Sequence, residues 1–504
     1  EELLFHTPVT FYRTQVPILP RRKRYVKTEN GIRQYRFLDE EKSLDGTEKL
    51  LKDRFGEGEV VEASLMEKMI ILCLTKYAAL DVYAMGVEME GGKPGWYDAL
   101  NGMPGLFGSS MAETCELARM LEYVIQILKK YKYSLELLAE TAQLLNQMEA
   151  ITLNCLNDIM RCGELVEFWN SRNDVKESYW EKTFNGISGA RQEISDRELI
   201  DTLVHMQSVV MHGIRKACAM ENGVCPTYFT YEVKEYTEDE DGIYPEHFEV
   251  NMVPLFLEGA VRFLKLDNGK EVKRSLYESV KDSGLYDKKL QMYKVNASLK
   301  DASYELGRAK AFTPGWLENE SIWLHMEYKY LLELLKSGLY EEFAKDFHKA
   351  AIPFLDPLVY GRSIYENSSF IASSENPNPA CHGQGFVARL SGSTVEFLQI
   401  WILMMFGQLF SYEKDELRIN FTPVLPKYLV GEERHVEAVL LGQTKVVYEM
   451  EETKDYFPGT YNVVSQELLY KDGSIFKTTN SVLAGTMAED IRSGKITQIK
   501  ITLS

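Results

Sequence analysis

The spacing of hydrophobic and polar residues divides the chain into a long helical part and a shorter β-rich part. From about Ala63, apolar residues such as Leu65, Met69 and Leu72 recur at helical spacing, which is typical of amphipathic helices. The same pattern predicts further helices near 111–131, 133–168, 193–220, 252–265, 272–281, 321–337, 338–351 and 392–411. No repeat of fixed length is visible, which argues against a solenoid. We therefore predict an α/α toroid or a large helical bundle.

The pattern changes after about Leu417. Val436, Ala438 and Leu440 alternate with charged residues, and a turn at 471–473 separates two further alternating stretches. Such alternation predicts strands and hairpins. The expected domains are an extended lead-in at 1–60 with several prolines, a helical domain at 61–416 and a β-sandwich at 417–504.

Composition limits the classes of partner. The chain has 504 residues, 45% of them hydrophobic, and a net charge of −18. An acidic surface repels nucleic-acid phosphates and anionic lipids, so the basic stretch Arg21–Arg24 is interpreted as solvated surface or as a contact with carboxylates. The seven cysteines are scattered without a CxxC pair, which favours a reduced protein over a disulfide framework or zinc site. With no apolar run of spanning length and no signal-peptide pattern at the first residues, we expect a cytoplasmic protein without nucleic-acid or membrane partners.

The candidate chemistry begins in a glycine-dense loop that follows a predicted helix. Residues 91–102 read Gly-Gly-Lys-Pro-Gly-Trp-Tyr-Asp-Ala-Leu-Asn-Gly, with Trp96 beside Asp98. Glycine lets the backbone approach a ligand closely, and an aromatic ring next to an acid suits a sugar site. An ordinary helix C-cap followed by a loop would have the same sequence, so both interpretations stay open.

Other polar loops carry residues of similar chemistry. Residues 311–320 hold Glu318 and Asn319 and lead into a helix with His325, where free N–H groups favour an anion. Glu366 lies alone in a polar loop at 361–370, and residues 390–394 form a nest of hydroxyl groups and glycine. This nest suits phosphate, although simple N-capping by serine or threonine explains it as well. A loop at 244–259 gives a weaker signal. Sequence motifs of nucleotide-binding proteins, metalloproteases and serine hydrolases are missing.

Taken in order, these loops resemble the catalytic part of the inverting glycoside phosphorylases of glycoside hydrolase family 94 and related β-glucan oligosaccharide phosphorylases. The family's catalytic loop, roughly Gly-Gly-Asp-Trp-Asn-Asp-Gly-Met-Asn, is similar to residues 95–101 at Trp96, Asp98 and Asn101. The family's Pro-Gly-x-x-Glu-Asn-Gly-Gly-x-x-x-His segment resembles residues 314–325 with the same spacing from acid to histidine. A family loop that reads Glu-Pro-Tyr resembles residues 365–367, and the family's Thr-Gly-Thr/Ser-Ala lies in the place of residues 391–394. The resemblance extends over about residues 60–430.

The resemblance implies a role for each matched residue. Asp98 would be the general acid, and the sugar would be bound by Trp96, Asn101, Glu318, Asn319 and Glu366. Phosphate would be bound by His325, Ser391, Gly392, Ser393 and Thr394. It also implies an (α/α)6 barrel, inorganic phosphate as co-substrate without another cofactor, and a homodimer.

The chain departs from the family pattern at several positions. Glu320 and Ser321 replace two glycines of the histidine segment, and Tyr97 replaces an asparagine. The family's N-terminal β-sandwich and first barrel helices have no counterpart upstream of Asp98, and too few helices are predicted for a complete barrel. We expect a barrel that is incomplete in this chain, whose N-terminal half lies upstream or on a separate chain. Longer β-linked gluco-oligosaccharides are plausible substrates.

The expected reaction is phosphorolysis with inversion, which gives α-glucose 1-phosphate. Asp98 would have to be protonated, which requires burial or a nearby anion to raise its pKa. An inverting hydrolase or transglycosylase stays open, because Glu318, Glu320, Glu366 or Glu396 could serve as its base. A non-catalytic carbohydrate-binding subunit is the alternative from another class.

Overall fold

The structure, a computed structural model, describes residues 1–35, 37–42, 49–89, 106–159, 163–387 and 391–504. It is a mixed α/β protein with 42% helix and 25% strand. The chain forms two compact units. Unit 1 consists of Glu1–Trp323 and Phe370–Gly383, and unit 2 consists of Leu324–Ser369 and Gln384–Ser504.

The helices described in unit 1 are α1 (Leu3–His6), α2 (Arg21–Arg24), α3 (Leu65–Ala78), α4 (Met111–Tyr131), α5 (Ala139–Ile159), α6 (Val166–Phe184), α7 (Asp196–Ala219), α8 (Leu257–Leu264) and α9 (Lys270–Asp282). Helix α4 packs against α3, α7 and α8, and α5 packs against α6 and α7. The buried faces of these helices form the helical core of unit 1.

Local sequence explains where the long helices of unit 1 begin and end. The hydroxyl of Ser110 accepts a hydrogen bond from the N–H of Glu113 and caps α4, and Ser195 caps α7 through Glu198 in the same way. A serine cap satisfies one of the N–H groups that a helix start leaves unpaired. Helix α4 ends at Lys132, whose left-handed backbone has a φ of 56°.

The strands described in unit 1 are β1 (Pro8–Thr10), β2 (Tyr25–Thr28), β3 (Gly31–Gln34), β4 (Glu62–Ser64), β5 (Val87–Glu88), β6 (Phe107–Ser110), β7 (Leu135–Leu138), β8 (Arg191–Ile194), β9 (Tyr228–Asp239), β10 (Gly242–Met252), β11 (Tyr286–Asp287), β12 (Met292–Tyr293), β13 (Ile322–Trp323) and β14 (Phe370–Ile371). The largest of their sheets has the order β10-β9-β6-β5. It is built on the long antiparallel hairpin of β9 and β10.

The helices described in unit 2 are α10 (Leu324–Lys336), α11 (Tyr340–Ala350), α12 (Pro357–Tyr360), α13 (Ser391–Phe406), α14 (Lys427–Val430) and α15 (Thr486–Arg492). Its described strands are β15 (Gly385–Phe386), β16 (Phe410–Glu413), β17 (Glu416–Asn420), β18 (His435–Leu440), β19 (Thr444–Met450), β20 (Val463–Tyr470), β21 (Ile475–Thr478), β22 (Val482–Ala484) and β23 (Ile496–Leu503). Helix α10 packs against both α11 and α13.

The C-terminal strands form a three-stranded sheet, β16-β17-β22, and a five-stranded sheet, β18-β19-β23-β20-β21. On β19, Val446 and Tyr448 are fully buried, whereas Lys445 and Glu449 form ion pairs with residues of neighbouring strands. One face of this strand is therefore apolar and buried, and the other carries charge pairs, as the alternation of side chains along a β-strand predicts.

Comparison with the sequence predictions gives a mixed outcome. The helix near 111–131 and the strands after residue 417 are confirmed. The single helix predicted at 133–168 is wrong, because this stretch contains β7, α5 and the start of α6. The loop predicted around 244–251 is strand β10. The strands of unit 1 make the protein mixed α/β, where the sequence predicted a mainly helical body. Among the described residues, no helix has the length and apolar character needed to cross a bilayer.

Candidate functional site

In sequence, the predicted catalytic segment falls between two strands that pair with each other. Trp96, Asp98 and Asn101 fall within residues 90–105, outside the described residues. The described chain on either side forms β5 and β6, which pair antiparallel with Glu88 opposite Ser109. The pairing continues one residue further, where the N–H of Met89 donates to the carbonyl of Gly108 at 2.8 Å. The two strands that flank Asp98 in sequence are therefore adjacent members of the largest sheet of unit 1.

The predicted sugar-binding loop of unit 1 is a tight and strained turn. Trp316 and Asn319 exchange backbone hydrogen bonds of 3.2 Å. Gly315, Leu317 and Glu320 have positive φ angles of 74°, 51° and 56°. A Cβ at position 315 would lie 2.5 Å from the backbone N of Asn376, so only glycine fits there. Leucine and glutamate in the left-handed region are strained, and such strain tends to occur at functional sites.

The two predicted sugar ligands of this turn differ in their surroundings. Asn319 is 3% exposed. Its amide nitrogen donates to the carbonyl of Phe312 at 2.8 Å, and its amide oxygen accepts from Asn296. Asn319 is therefore engaged in holding the loop together. Glu318 is partly exposed at the surface of the same turn.

A buried charge cluster that the sequence did not predict supports the turn. The ammonium of Lys294 lies 3.2 Å from a carboxylate oxygen of Glu320 and 3.0 Å from one of Glu375. The side chains of Lys294 and Glu320 are both 5% exposed, whereas that of Glu375 is 46% exposed. The cluster has one more negative than positive charge. The only signal for this cluster in the sequence was a lysine among the apolar residues just before Val295. The partner Glu375 is far away along the chain.

Aromatic rings lie beside the turn. Strands β13 and β14 place Trp323 opposite Phe370, and the two rings stack with centroids 6.0 Å apart and an interplanar angle of 4°. Trp316 meets the same Phe370 edge-on at 5.0 Å. Both tryptophans are partly exposed. Partly exposed indole rings can pack against the apolar C–H groups of a sugar, and with Glu318 and Glu375 they give unit 1 groups suited to carbohydrate.

The predicted phosphate ligands belong to unit 2. His325 is the second residue of α10, and its Nε2 lies 3.3 Å from a carboxylate oxygen of Glu396 on α13. The sequence predicted the nest at 391–394, and this stretch is the first turn of α13. Ser393 is 1% exposed and Thr394 is exposed. The side chain of Ser391 and the burial of Gly392 lie outside the part of the chain that the structure describes.

The electrostatics of Glu396 follow from this contact. Burial by itself raises the pKa of Glu396. The close contact with His325 outweighs burial and holds the pKa of this carboxyl below its ordinary value. Glu396 is therefore ionised at neutral pH and orients the imidazole of His325. Glu396 lies two residues after the nest at 391–394. Its contact with His325 therefore connects the two predicted phosphate-binding elements directly.

The last predicted sugar ligand, Glu366, is half exposed. Its carboxylate lies 3.8 Å from a guanidinium nitrogen of Arg362, and Arg362 in turn donates to the carbonyl of Gly385 at 2.6 Å. The backbone carbonyl of Glu366 accepts from the hydroxyl of Tyr360 at 2.7 Å. The loop is thus held by its backbone, while the carboxylate reaches solvent.

The described part of the chain contains no group of three or more His, Cys, Asp or Glu side chains arranged to hold a metal ion. The structure brings Glu318 and Asn319 together in unit 1, and His325 together with the first turns of α13 in unit 2.

Comparison with models of known protein families gives no match for this chain, and a search of curated proteins finds no relative either.

Proposed function

We propose that this chain contributes the catalytic acid and the phosphate-binding groups of an inverting glycoside phosphorylase that acts on β-linked gluco-oligosaccharides. The observation that carries the proposal is the contact between His325 and Glu396. Through it, a histidine at the start of one helix is oriented by the helix whose own first turn holds Ser393 and Thr394. Helix N-termini with free N–H groups and hydroxyl side chains are suited to phosphate.

In the proposed reaction, Asp98 donates its proton to the glycosidic oxygen as the bond from that oxygen to the anomeric carbon breaks. A phosphate oxygen forms a new bond to the anomeric carbon from the opposite face. The products are α-glucose 1-phosphate and an oligosaccharide shortened by one residue. His325 and the first turn of α13 would hold the negative charge of phosphate and orient its attacking oxygen, which accelerates the step by positioning.

The surroundings of the candidate carboxylates affect whether they could act as the base of the rival hydrolytic reaction. An inverting hydrolase needs a second carboxylate that activates water. Glu320, Glu366 and Glu396 each lie in an ion pair, with Lys294, Arg362 and His325 respectively. Beside His325 the pKa of Glu396 is held below its ordinary value, so this carboxylate is a weaker base for activating water, which favours phosphorolysis over hydrolysis by Glu396.

The helices of this chain are proposed to belong to an (α/α)6 barrel. Packed helix pairs such as α4 with α7 and α10 with α13 are consistent with an (α/α)6 barrel. We propose that an N-terminal half, upstream or on a separate chain, completes this barrel, that the C-terminal strands form a β-sandwich, and that the enzyme is a cytoplasmic homodimer.

The test is phosphate release from α-glucose 1-phosphate with a panel of β-gluco-oligosaccharide acceptors, measured with and without the upstream polypeptide. Asp98→Asn removes the proton donor, and Asp241→Asn in the exposed turn of the β9–β10 hairpin is the matched control. Acceptor-dependent release that Asp98→Asn abolishes and Asp241→Asn retains supports the proposal.

Two other outcomes contradict the proposal. Cleavage of oligosaccharides in phosphate-free buffer would assign the protein to the hydrolases. Sugar binding without turnover in either assay, and without sensitivity to Asp98→Asn, would assign it a binding role.

A further inference from the structure

The backbone around Glu375 is fixed beside the strained turn at 315–320. The preceding residue, Ser374, donates from its N–H and its hydroxyl to the buried carboxylate of Asp287, at 2.7 and 2.9 Å. The following residue, Asn376, packs against the first residue of the turn so closely that a Cβ there would lie 2.5 Å from its backbone N. The side chain of Glu375 therefore starts from a well-defined position next to the turn.

The ammonium of Lys294 has one hydrogen-bond donor more than its neighbours use. Its Nζ donates to a carboxylate oxygen of Glu320 at 3.2 Å and to one of Glu375 at 3.0 Å. An ammonium has three donors, and within the described part of the chain these two carboxylates are its acceptors. Because the side chain of Lys294 is only 5% exposed, leaving its third donor without a partner costs free energy.

The carboxylate of Glu375 has the complementary property, which is spare capacity to accept. Its two oxygens offer about four acceptor sites, and among the described residues the ammonium of Lys294 is its one side-chain partner. The side chain is 46% exposed and reaches solvent. A single hydroxyl group can accept from the ammonium and donate to the carboxylate at the same time. A donor and an acceptor 3.0 Å apart suit such a group.

The charge and the aromatic neighbours of this cluster favour a neutral ligand. The cluster has one more negative than positive charge, which repels phosphate and other anions. The rings of Trp316 and Trp323 both contact Phe370, with centroids 5.0 and 6.0 Å away. The two tryptophans are partly exposed and belong to the turn and to the strand that follows it. A glucosyl unit combines hydroxyl groups with apolar C–H faces and matches both features.

We infer that Lys294 and Glu375 together bind one hydroxyl group of a neutral glucosyl unit, and that Glu375 determines which position of the sugar must carry this hydroxyl. The inference rests on the proposed function for the identity of the ligand as a β-linked gluco-oligosaccharide. Both residues belong to unit 1, so this chain should bind the sugar by itself. A site of this kind rejects an analogue without the hydroxyl, because its buried polar groups are then left unpaired.

The test compares the wild type with Glu375→Gln in isothermal titrations with β-linked glucotrioses and their monodeoxy analogues. The substitution keeps the size of the side chain but removes its negative charge and one acceptor oxygen. We expect Kd for the parent trisaccharide to rise by about tenfold. Glu271→Gln is the matched control, because it makes the same change in an ion pair with Arg274 where the carboxylate is 84% exposed. It should leave Kd unchanged.

The monodeoxy analogues distinguish a ligand contact from a structural role. In the wild type, removal of the recognised hydroxyl should weaken binding by about tenfold or more. In Glu375→Gln the same removal should change Kd by less than about threefold, because the partner of that hydroxyl is already lost. A structural role of Glu375 predicts equal losses for every analogue and overturns the inference. Glu375→Asp, which keeps the charge and shortens the side chain, serves in the same comparison if Glu375→Gln does not fold.

The outcomes separate this inference from the proposed function. If the wild type phosphorolyses oligosaccharides and Glu375→Gln keeps its Kd and KM for them, the hydroxyl site is overturned and the function stands. If the wild type binds the trisaccharides with the expected dependence on Glu375 but does not turn them over with phosphate, the site stands and the proposed function fails. A wild-type chain that binds none of the trisaccharides overturns the site.

Discussion

Lys294 and Glu320 form a buried ion pair at a backbone position that favours glycine. Their charged atoms lie 3.2 Å apart with both side chains 5% exposed, and Glu320 has a φ of 56°. In the phosphorylase motif that this segment resembles, a glycine occupies the position of Glu320. The ion pair offers a physical reason why a glutamate is tolerated there, since the contact with Lys294 offsets a backbone strain of about 1 kcal/mol or more.

Glu320→Gly should therefore destabilise the protein although it relieves strain. The change leaves the buried ammonium of Lys294 with Glu375 as its remaining carboxylate partner, and loss of one partner from a buried pair costs more than the strain. We expect the free energy of unfolding to fall by about 1–3 kcal/mol in urea titrations.

Two further variants control this prediction. Lys132→Gly changes an exposed residue that has the same φ of 56° and forms no ion pair with any described residue, and it should be neutral or stabilising by up to about 1 kcal/mol. Combining Glu320→Gly with Lys294→Met should recover much of the loss. If Glu320→Gly alone is as stable as the wild type, the ion pair makes no net contribution to the free energy of unfolding.

The sequence predicted elements well where the local signals were strong. Helix α4 has Ser110 as a cap, a one-sided apolar pattern and lysines in its last turn, and its predicted span matched. Helix α6 was not recognised as a separate helix, because it buries the polar residues Arg172, Asn173 and Lys176 and has no clear apolar face. The β9–β10 hairpin was missed because its far end, Tyr236–Asp241, is charged and exposed.

Residues of the candidate site were likewise predicted only where the local sequence contained a signal. His325, Glu318 and Asn319 were predicted as site residues because a single contiguous motif contains them, and their roles stay predictions. The role of Glu375 was not predicted, since it arises from a contact with Lys294, a residue distant in sequence. A single sequence contains no signal for such contacts.

His325→Gln should weaken phosphate binding more than sugar binding. Loss of a charge-assisted hydrogen bond costs about 1.5–3 kcal/mol, so we expect KM for phosphate to rise by at least about tenfold and KM for the oligosaccharide by much less. Glu396→Gln keeps a hydrogen-bond acceptor for the ring and should have a smaller effect. A rise confined to the oligosaccharide KM would instead place His325 on the sugar side.

Glu396 should also contribute to stability in a defined acid range. Its pKa is lower in the folded protein than in the unfolded chain, so the folded state holds fewer protons on this group. Its stabilising contribution is complete above the ordinary glutamate pKa of 4.5 and is lost as pH falls through the lower folded value. Unfolding free energies measured between pH 6 and pH 3 should therefore fall less steeply for Glu396→Gln than for the wild type.

Lys176 should make stability rise with pH in the alkaline range. It is 4% exposed on α6. Burial lowers its pKa to about 8, while Glu88 and Glu177 oppose and Arg24 and Arg172 reinforce this shift. Between about pH 8 and 10.5 the unfolded chain binds a proton that the folded protein does not, so stability increases with pH there.

The pH-dependent stabilisation by Lys176 can be measured as a difference in unfolding free energy between the wild type and a variant. The wild type should gain about 3 kcal/mol relative to Lys176→Met as pH rises from 8 to 10.5. Tyrosine ionisation affects both proteins and cancels in this difference. Lys182→Met, at an exposed position of the same helix, should track the wild type. A constant difference between the wild type and Lys176→Met would mean that Lys176 titrates normally.

Gly213→Ala should destabilise helix α7 although alanine is the better helix former. In an open helix interior this change gains about 1 kcal/mol. Here a Cβ would lie 2.0 Å from the carbonyl oxygen of Ala84. Ala84 lies in a turn that the buried carboxylate of Asp81 closes by accepting from the N–H groups of residues 83, 85 and 86. Because backbone must move to relieve this overlap, overpacking should outweigh propensity and lower the free energy of unfolding by about 1–3 kcal/mol.

Ser208→Ala is the matched control, since Ser208 is exposed on the same helix and its hydroxyl only donates to the carbonyl of Val204. It should be neutral or slightly stabilising in the same urea titrations. Because the overlap at Gly213 displaces the turn of Asp81, Gly213→Ala should also accelerate hydrogen exchange in residues 86–89, which Ser208→Ala should leave unchanged. Greater stability of Gly213→Ala than of the wild type would contradict the close approach of α7 to this turn.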